Sequence, residues 1–515
     1  MIITSIKFFV FLALTVIIYY ICPPKFRWLT LLASSMCFFL MASYAVSFYF
    51  VFGTLVAYIG ARLIQERCRS DRSKRIVLVV SIALQYLLLF VLKYINIIPN
   101  TINRFGSLFS IDLHFATVNL IAPIGISYYT LSLWGYLVDV YRTTVEAEKN
   151  YLKLSLFACY YPCLVSGPFI RYPDMNNELF GLREFDQKHF TKSFHRIIYG
   201  LFKKIFIADI LAGWVKTIFH APGIYSGGFI IFGVIVYAIQ IYCDFSGCMD
   251  LVIGASGLYG VMLPENFECP FFSRNLAEFW RRWHITLGLW GKDYIMYPLL
   301  KSDGFQQIGK KAKKKFGKKI GKKIPVLLSI FVLWLIIGIW HGASYRYIFA
   351  AGILPWIYFS VSELCEDVFK SINIRLHIKT ESTLFHLFQS IRTISLMLII
   401  WLFVLAPSFS RSGEVFGNIF VKPSPDVLNQ FIDYTVARGQ DSQQCVFRLA
   451  FLLIALLVVL LIDYMKYKGE DVGERFIEKN VVFRFLILLA ACAVMICFGV
   501  YGPGYDSVEF IYGGF

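Results

Sequence analysis

The sequence predicts an all-α, polytopic membrane protein, and three observations carry that prediction. The apolar fraction is 58% and only 16% of residues are charged, against roughly 45–50% and about 25% in soluble globular chains. The apolar excess runs along almost the whole length, in segments close to the roughly 20 residues that a helix needs to cross a bilayer. Lysines and arginines gather in short stretches between those segments, as they do in cytoplasmic loops.

Taken in order, apolar segments suited to spanning lie near 3–21, 28–43, 46–61, 76–98, 116–138, 152–170, 195–220 and 228–260. Others follow near 325–345, 347–364, 390–407, 446–465 and 482–500. That makes roughly a dozen transmembrane or re-entrant helices in a single integral-membrane domain covering 1–515. The first, Ile6 to Ile21, starts with one lysine and is followed by Cys22-Pro23-Pro24-Lys25 instead of a small-residue cleavage site. A retained helix is the reading, and a cleaved signal is the alternative. No inverted repeat of the kind that marks many transporters is visible.

The formal net charge of +17 sits mostly in two places, 62–75 and 301–323. The second holds Lys310, Lys311, Lys313, Lys314, Lys315, Lys318, Lys319, Lys322 and Lys323 between two apolar regions. Positive-inside bias places both in the cytoplasm, as a topology signal that also touches anionic lipid head groups, with no role for nucleic acid. Binding of an anionic substrate there is the alternative. The twelve cysteines are scattered without metal-site or disulfide spacing and read as small buried hydrophobes.

The stretch 264–300 is too polar to span alone, yet rich in tryptophan. A helix over Asn275 to Leu289, capped by Ser273, is predicted as a re-entrant or interfacial element lining a cavity. On such a helix Trp280 and His284 share a face, and Glu278 pairs with Arg282. Segments 172–192 and 410–444 are polar enough to be loops outside the membrane.

Chemistry is offered first by His341, at the end of the apolar run Val326 to Gly342. An ionisable side chain at membrane depth is a functional hypothesis by default. Its imidazole should rest neutral, with one nitrogen able to accept a proton as a general base requires. A core histidine bonded to a backbone carbonyl is the other reading, and the residues alone leave both open. His284, within Trp280-Arg281-Arg282-Trp283-His284, reads either as part of an interfacial aromatic and basic belt or as a second acid–base group. Arg281 and Arg282 could meet anionic groups such as phosphates. Buried acids Asp139, Asp209, Asp244 and Asp250 are expected to pair with arginines. The eight histidines are dispersed and form no His-x-x-x-His pair, so no metal is expected. Gly-x-Ser-x-Gly and phosphate-loop patterns do not occur.

Several stretches together resemble one family. They are Phe90-Val91-Leu92-Lys93-Tyr94, Pro123-Ile124-Gly125-Ile126-Ser127-Tyr128-Tyr129-Thr130, Asp139-Val140-Tyr141-Arg142 and Ser166-Gly167-Pro168-Phe169-Ile170-Arg171-Tyr172. Then follow Gly200-Leu201-Phe202-Lys203-Lys204, Asp244-Phe245-Ser246-Gly247, Pro264-Glu265-Asn266-Phe267, the block Phe279 to Leu287, Lys292-Asp293-Tyr294 and Trp340-His341-Gly342-Ala343. The chain resembles the membrane-bound O-acyltransferase (MBOAT) family in its bacterial branch, nearest the alginate O-acetyltransferase type. The resemblance is dense from about 90 to 345 and thin at Phe510-Ile511-Tyr512.

The resemblance implies helices around a central tunnel or funnel in a bacterial cell membrane. It makes His341 and His284 the catalytic pair, with Trp340, Trp283, Arg281, Arg282, Asp293 and Asn266 as substrate-binding residues. Acetyl-CoA would be the acyl donor, with no permanently bound cofactor. The acceptor would be an extracellular polysaccharide or cell-wall glycan, reached directly or through an extracytoplasmic SGNH-hydrolase-like acetyltransferase partner. D-alanyl transfer to teichoic acid is the alternative, and a proton-coupled transporter or flippase is a second one. Two departures bear on the acceptor. Ala351-Gly352-Ile353-Leu354-Pro355 stands where relatives carry a further His-Gly, and Gly291 and Lys292 replace bulkier residues. The lysine-rich stretch 301–323 reads as an insertion.

Overall fold

The computed structural model describes residues 3–109, 111–220, 222–342, 344–406, 408–422, 430 and 442–502. Ala343 and the Phe510-Ile511-Tyr512 tail lie outside the described residues. Among the described residues the chain is helical, with a single isolated antiparallel bridge between Phe267 and Trp283. Eight helical runs among them are long and apolar enough to cross a membrane, and Ile6–Ile21 is a shorter apolar helix. Their outward faces carry the exposed Leu, Ile, Val and Phe side chains that lipid requires, while the polar backbone is satisfied within each helix.

Most predicted segments have counterparts, but the boundaries shift where tertiary structure or proline intervenes. The expected helix at 116–138 starts only at Ile126 and runs to Tyr141, after Gly125 in a left-handed conformation (φ 71°). The segment at 152–170 is not one span. It breaks into Tyr151–Cys159 and Tyr161–Leu164, with Pro162 in the first turn of the second piece. Segments expected as loops contain helices, Tyr172–Phe180 and Phe409–Val421. The lysine-rich stretch is helical too, within Asp303–Trp340, because lysine is a good helix former.

The chain divides into two compact units. The first comprises Met1–Ile197 and Met249–Pro264. Its interior holds a chain of hydroxyls, with Thr15 bonded to Tyr259 at 2.6 Å and Tyr259 to Tyr161 at 2.8 Å. Arg196 pairs with Asp250 at 2.8 Å, as expected of a buried acid. The second unit comprises Ile198–Cys248 and Glu265–Phe515 and contains both histidines singled out above. Here the expectation of arginine partners fails, because Asp209 and Asp244 share Lys204, at 2.8 and 2.5 Å. The Lys204 ammonium lies in a turn one residue wider than α-helical, Phe202–Ala208, and reaches both carboxylates at once.

Candidate active site

The re-entrant stretch is built differently from a single amphipathic helix. Asn275, not Ser273, caps its first helix, Leu276–Arg282, by accepting from the Glu278 amide at 2.8 Å. The helix then stops. Trp283 is extended, His284 is left-handed (φ 50°, ψ 50°), and a second helix runs Ile285–Gly291. The break is held from outside, since the Glu268 amide donates to the Arg282 carbonyl at 2.9 Å and the Ile285 amide to the Asn266 carbonyl at 3.0 Å. Pairing with the Asn266–Glu268 backbone thus overrides local helix propensity. A left-handed non-glycine residue is strained, and such strain collects at functional sites.

That break aims His284 into the unit. The side chain is 5% exposed, and its ring lies edge-on to Phe245 at 4.8 Å. Asn266, 0% exposed, fixes its protonation pattern. The Asn266 Oδ1 accepts from the Thr286 amide at 3.1 Å and from the Thr286 hydroxyl at 2.9 Å. A backbone N–H can only donate, so this atom is the carbonyl oxygen, and His284 Nδ1 at 3.2 Å must be the donor to it. The neutral ring therefore keeps its lone pair on Nε2. His284 lies outside the membrane-spanning segments, and burial pushes its imidazole well below the usual histidine range, with His341 acting in the same direction.

His341 reaches the same place from another element. It ends the helix Asp303–Trp340, and its amide still bonds the Ile337 carbonyl at 3.0 Å. Gly342 follows at φ 140°, a conformation that suits glycine and lets the chain turn directly after the histidine. The Trp340 ring stands 4.9 Å from the His341 ring.

Both histidines line one cavity of about 550 Å³ with a largely apolar wall. Of the other residues singled out in the sequence, Trp283 and Arg281 also line it. Trp283 is stacked on Phe279 at 5.5 Å and packs against Trp401 at 5.7 Å. Arg282 is directed elsewhere, to Glu278 at 3.0 Å, the pair expected from spacing, and over the Tyr467 ring at 5.3 Å. Asn266 lies behind His284, and neither it, Trp340 nor Asp293 belongs to the cavity wall. Trp280 does belong, fixed edge-on to Trp334 at 4.7 Å, and its buried indole N–H has no hydrogen-bond partner among the described residues.

The wall also includes Tyr237, Lys292, Trp334, Tyr347 and Trp401, which sequence reasoning did not select. They come from five separate helical elements, and only Lys292 sits in a motif noted beforehand. Behind the wall, Tyr242 donates to Asp463 at 2.6 Å and Lys203 to Ser246 at 2.9 Å. The motif residues Lys203, Lys204, Asp244 and Ser246 are thus spent on buried polar pairs that brace the helix carrying Phe245.

A profile of the membrane-bound O-acyltransferase family matches residues 147–409, just over half of the chain and a range that includes both histidines. The chain belongs to that family. It is therefore an O-acyltransferase, and the transporter reading is set aside. It is similar to "Probable alginate O-acetylase AlgI" of Azotobacter vinelandii, 27% identical over 471 residues, covering 91% of this chain and 85% of that one. The protein of the same name from Pseudomonas aeruginosa is 31% identical over 348 residues, 67% of this chain and 62% of the relative. A peptidoglycan O-acetyltransferase of Helicobacter pylori is 30% identical over 279 residues, 48% of this chain and 49% of the relative.

Proposed function

We propose that this membrane O-acyltransferase is an acetyltransferase, moving an acetyl group from cytoplasmic acetyl-CoA to a hydroxyl of an extracellular polysaccharide or cell-wall glycan. The relatives named for alginate and peptidoglycan acetylation support the acyl group and the acceptor class. The observation that carries the reading is the cavity itself, where His341 and His284 meet from separate elements within a largely apolar wall.

In this reading His341 accepts the proton of the incoming hydroxyl as its oxygen attacks the thioester carbonyl. The C–O bond forms, the C–S bond breaks, and the CoA sulfur leaves with the proton returned by His341. His284, with Nδ1–H committed to Asn266, has no second N–H to offer an oxyanion. Its Nε2 lone pair instead suits a second hydroxyl of the acceptor, beside the one that His341 deprotonates, so it orients the acceptor. The Trp280 indole N–H suits the thioester carbonyl, where a preorganised donor acts on developing charge. Arg281 and Lys292 supply positive charge in the wall for the phosphates of the donor. Delivery to the polymer runs directly or through an extracytoplasmic SGNH-hydrolase-like partner.

The test is transfer by the purified full chain in proteoliposomes, supplied on one side with labelled acetyl-CoA or with a labelled D-alanyl thioester. Label leaving the acetyl donor for a polysaccharide hydroxyl supports the reading. Label leaving only the D-alanyl donor overturns it in favour of the teichoic acid branch.

A further inference from the structure

The lysine-rich stretch is a built surface and not merely a run of charge. Within Asp303–Trp340, Gly317 alone leaves helical geometry (φ 76°, ψ 168°), and there the chain folds back on itself. A Cβ on Gly321 would overlap the Lys313 backbone, and one on Gly309 would touch Pro325 at 3.6 Å. Both contacts share one antiparallel register centred on Gly317. Gly309, Ala312 and Gly321 are the buried seam, so two helices lie backbone to backbone in a hairpin.

That register fixes the height of every lysine. Lys310 to Lys315 lie beside residues 319–324, and Lys318 and Lys322 are on the returning helix. All therefore stand within about 12 Å of Val326, where the apolar run resumes, at 1.5 Å rise per residue. A bilayer is about 40–45 Å thick with head groups and about 30 Å without, which leaves roughly 5–8 Å of head-group layer per side. A lysine side chain from this hairpin reaches that layer from any of these positions.

The charge is only partly neutralised by protein. Lys319 pairs with Asp367, and Lys323 with Glu363 at 3.1 Å and Glu366 at 3.4 Å, all on one flank. Lys310, Lys311, Lys313, Lys314, Lys315, Lys318 and Lys322 are exposed and make no ion pair among the described residues. A topology signal needs the charges but no such rigid frame. We propose that this hairpin is a binding site for the head groups of anionic phospholipids, formed by seven lysines held at head-group height at the end of a membrane span. Continuity with the span favours lipid over a soluble polyanion, because the surface is already at the membrane. The proposal stands independently of which acyl group the enzyme transfers.

The test uses the full chain in nanodiscs of phosphatidylcholine alone or of equal parts phosphatidylcholine and phosphatidylglycerol, read by hydrogen exchange across 310–322. Added protection is expected with phosphatidylglycerol and not without it. It should disappear at 1 M salt, where the Debye length falls to about 3 Å. Each lysine near an anionic leaflet contributes roughly five-fold in affinity. Lys310→Gln, Lys311→Gln and Lys314→Gln together should weaken retention of labelled phosphatidylglycerol by on the order of 100-fold. Equal protection in both nanodiscs overturns the proposal, and so does protection by soluble CoA or a polyglutamate peptide with none by phosphatidylglycerol. The salt response of the unaltered chain keeps the test valid if the triple variant folds poorly.

Discussion

Replacing Asn266 separates the stability of the site from its chemistry. In Asn266→Ala three hydrogen bonds end together: those from the Thr286 amide (3.1 Å), the Thr286 hydroxyl (2.9 Å) and His284 Nδ1 (3.2 Å). The hydroxyl can rotate, but the amide cannot, and a buried donor left unsatisfied costs about 1–3 kcal/mol. That is the expected loss of stability. The imidazole escapes differently, by moving its proton to Nε2, and in doing so it loses the Nε2 lone pair that the mechanism uses. A neutral hydrogen bond that orients the acceptor is worth about 0.5–1.5 kcal/mol, so kcat should fall roughly 2- to 10-fold. KM for the donor should stay unchanged.

Asn266→Asp supplies the control. A carboxylate still accepts from all three donors, so kcat should recover relative to the alanine variant. The added negative charge also raises the His284 pKa, and the acid limb of the rate profile should move to higher pH. The assay is labelled acetyl transfer in proteoliposomes across pH, with thermal unfolding in detergent alongside. Full kcat in folded Asn266→Ala, or an aspartate variant no better than alanine and with an unmoved profile, refutes the tautomer argument.

Other residues give shorter tests. Lys204→Met removes the cation shared by Asp209 and Asp244 and leaves both carboxylates buried, which should destabilise the chain by about 3–5 kcal/mol in thermal or denaturant unfolding. Gly342→Ala places a side chain at φ 140° directly after His341, with about 1–3 kcal/mol of backbone strain and a fall in kcat larger than any change in KM. Trp280→Phe keeps the aromatic wall but deletes the indole N–H, and kcat should drop at least 10-fold if that donor meets the thioester carbonyl. An unchanged kcat would remove Trp280 from the mechanism. Because burial depresses the folded pKa of His284, the unfolded chain binds a proton below about pH 6.5 that the folded one refuses. The His284 contribution to stability is thus present above that pH and is lost as pH falls, which a pH series of unfolding temperatures measures, with His284→Gln as the reference lacking the term.

What the sequence revealed follows from the range of each interaction. Most of the spans were legible because lipid demands long apolar runs, though 116–138, 152–170 and 195–220 are not among the described helices long and apolar enough to cross. The Glu278–Arg282 pair was legible because it is local to one helical turn. His341 was legible as an ionisable residue closing an apolar run. The kink at His284 was not, since its cause is backbone pairing with Asn266–Glu268, and local composition there favours a continuous helix. The role of Asn266 was hidden for the same reason, because its partners are 18 and 20 residues away. Tyr237, Trp334 and Trp401 looked like ordinary apolar helix residues, and only packing brings them to one wall. Lys204 was missed as a partner for Asp209 and Asp244 because arginine is the commoner choice for buried pairs.

The most direct measurement is single-turnover transfer from labelled acetyl-CoA by the full chain in proteoliposomes, with His341→Gln compared at matched fold and donor affinity. The account predicts that the variant still binds acetyl-CoA but loses transfer to the hydroxyl acceptor by at least 100-fold, as expected for a general base. Transfer at the unaltered rate would contradict it.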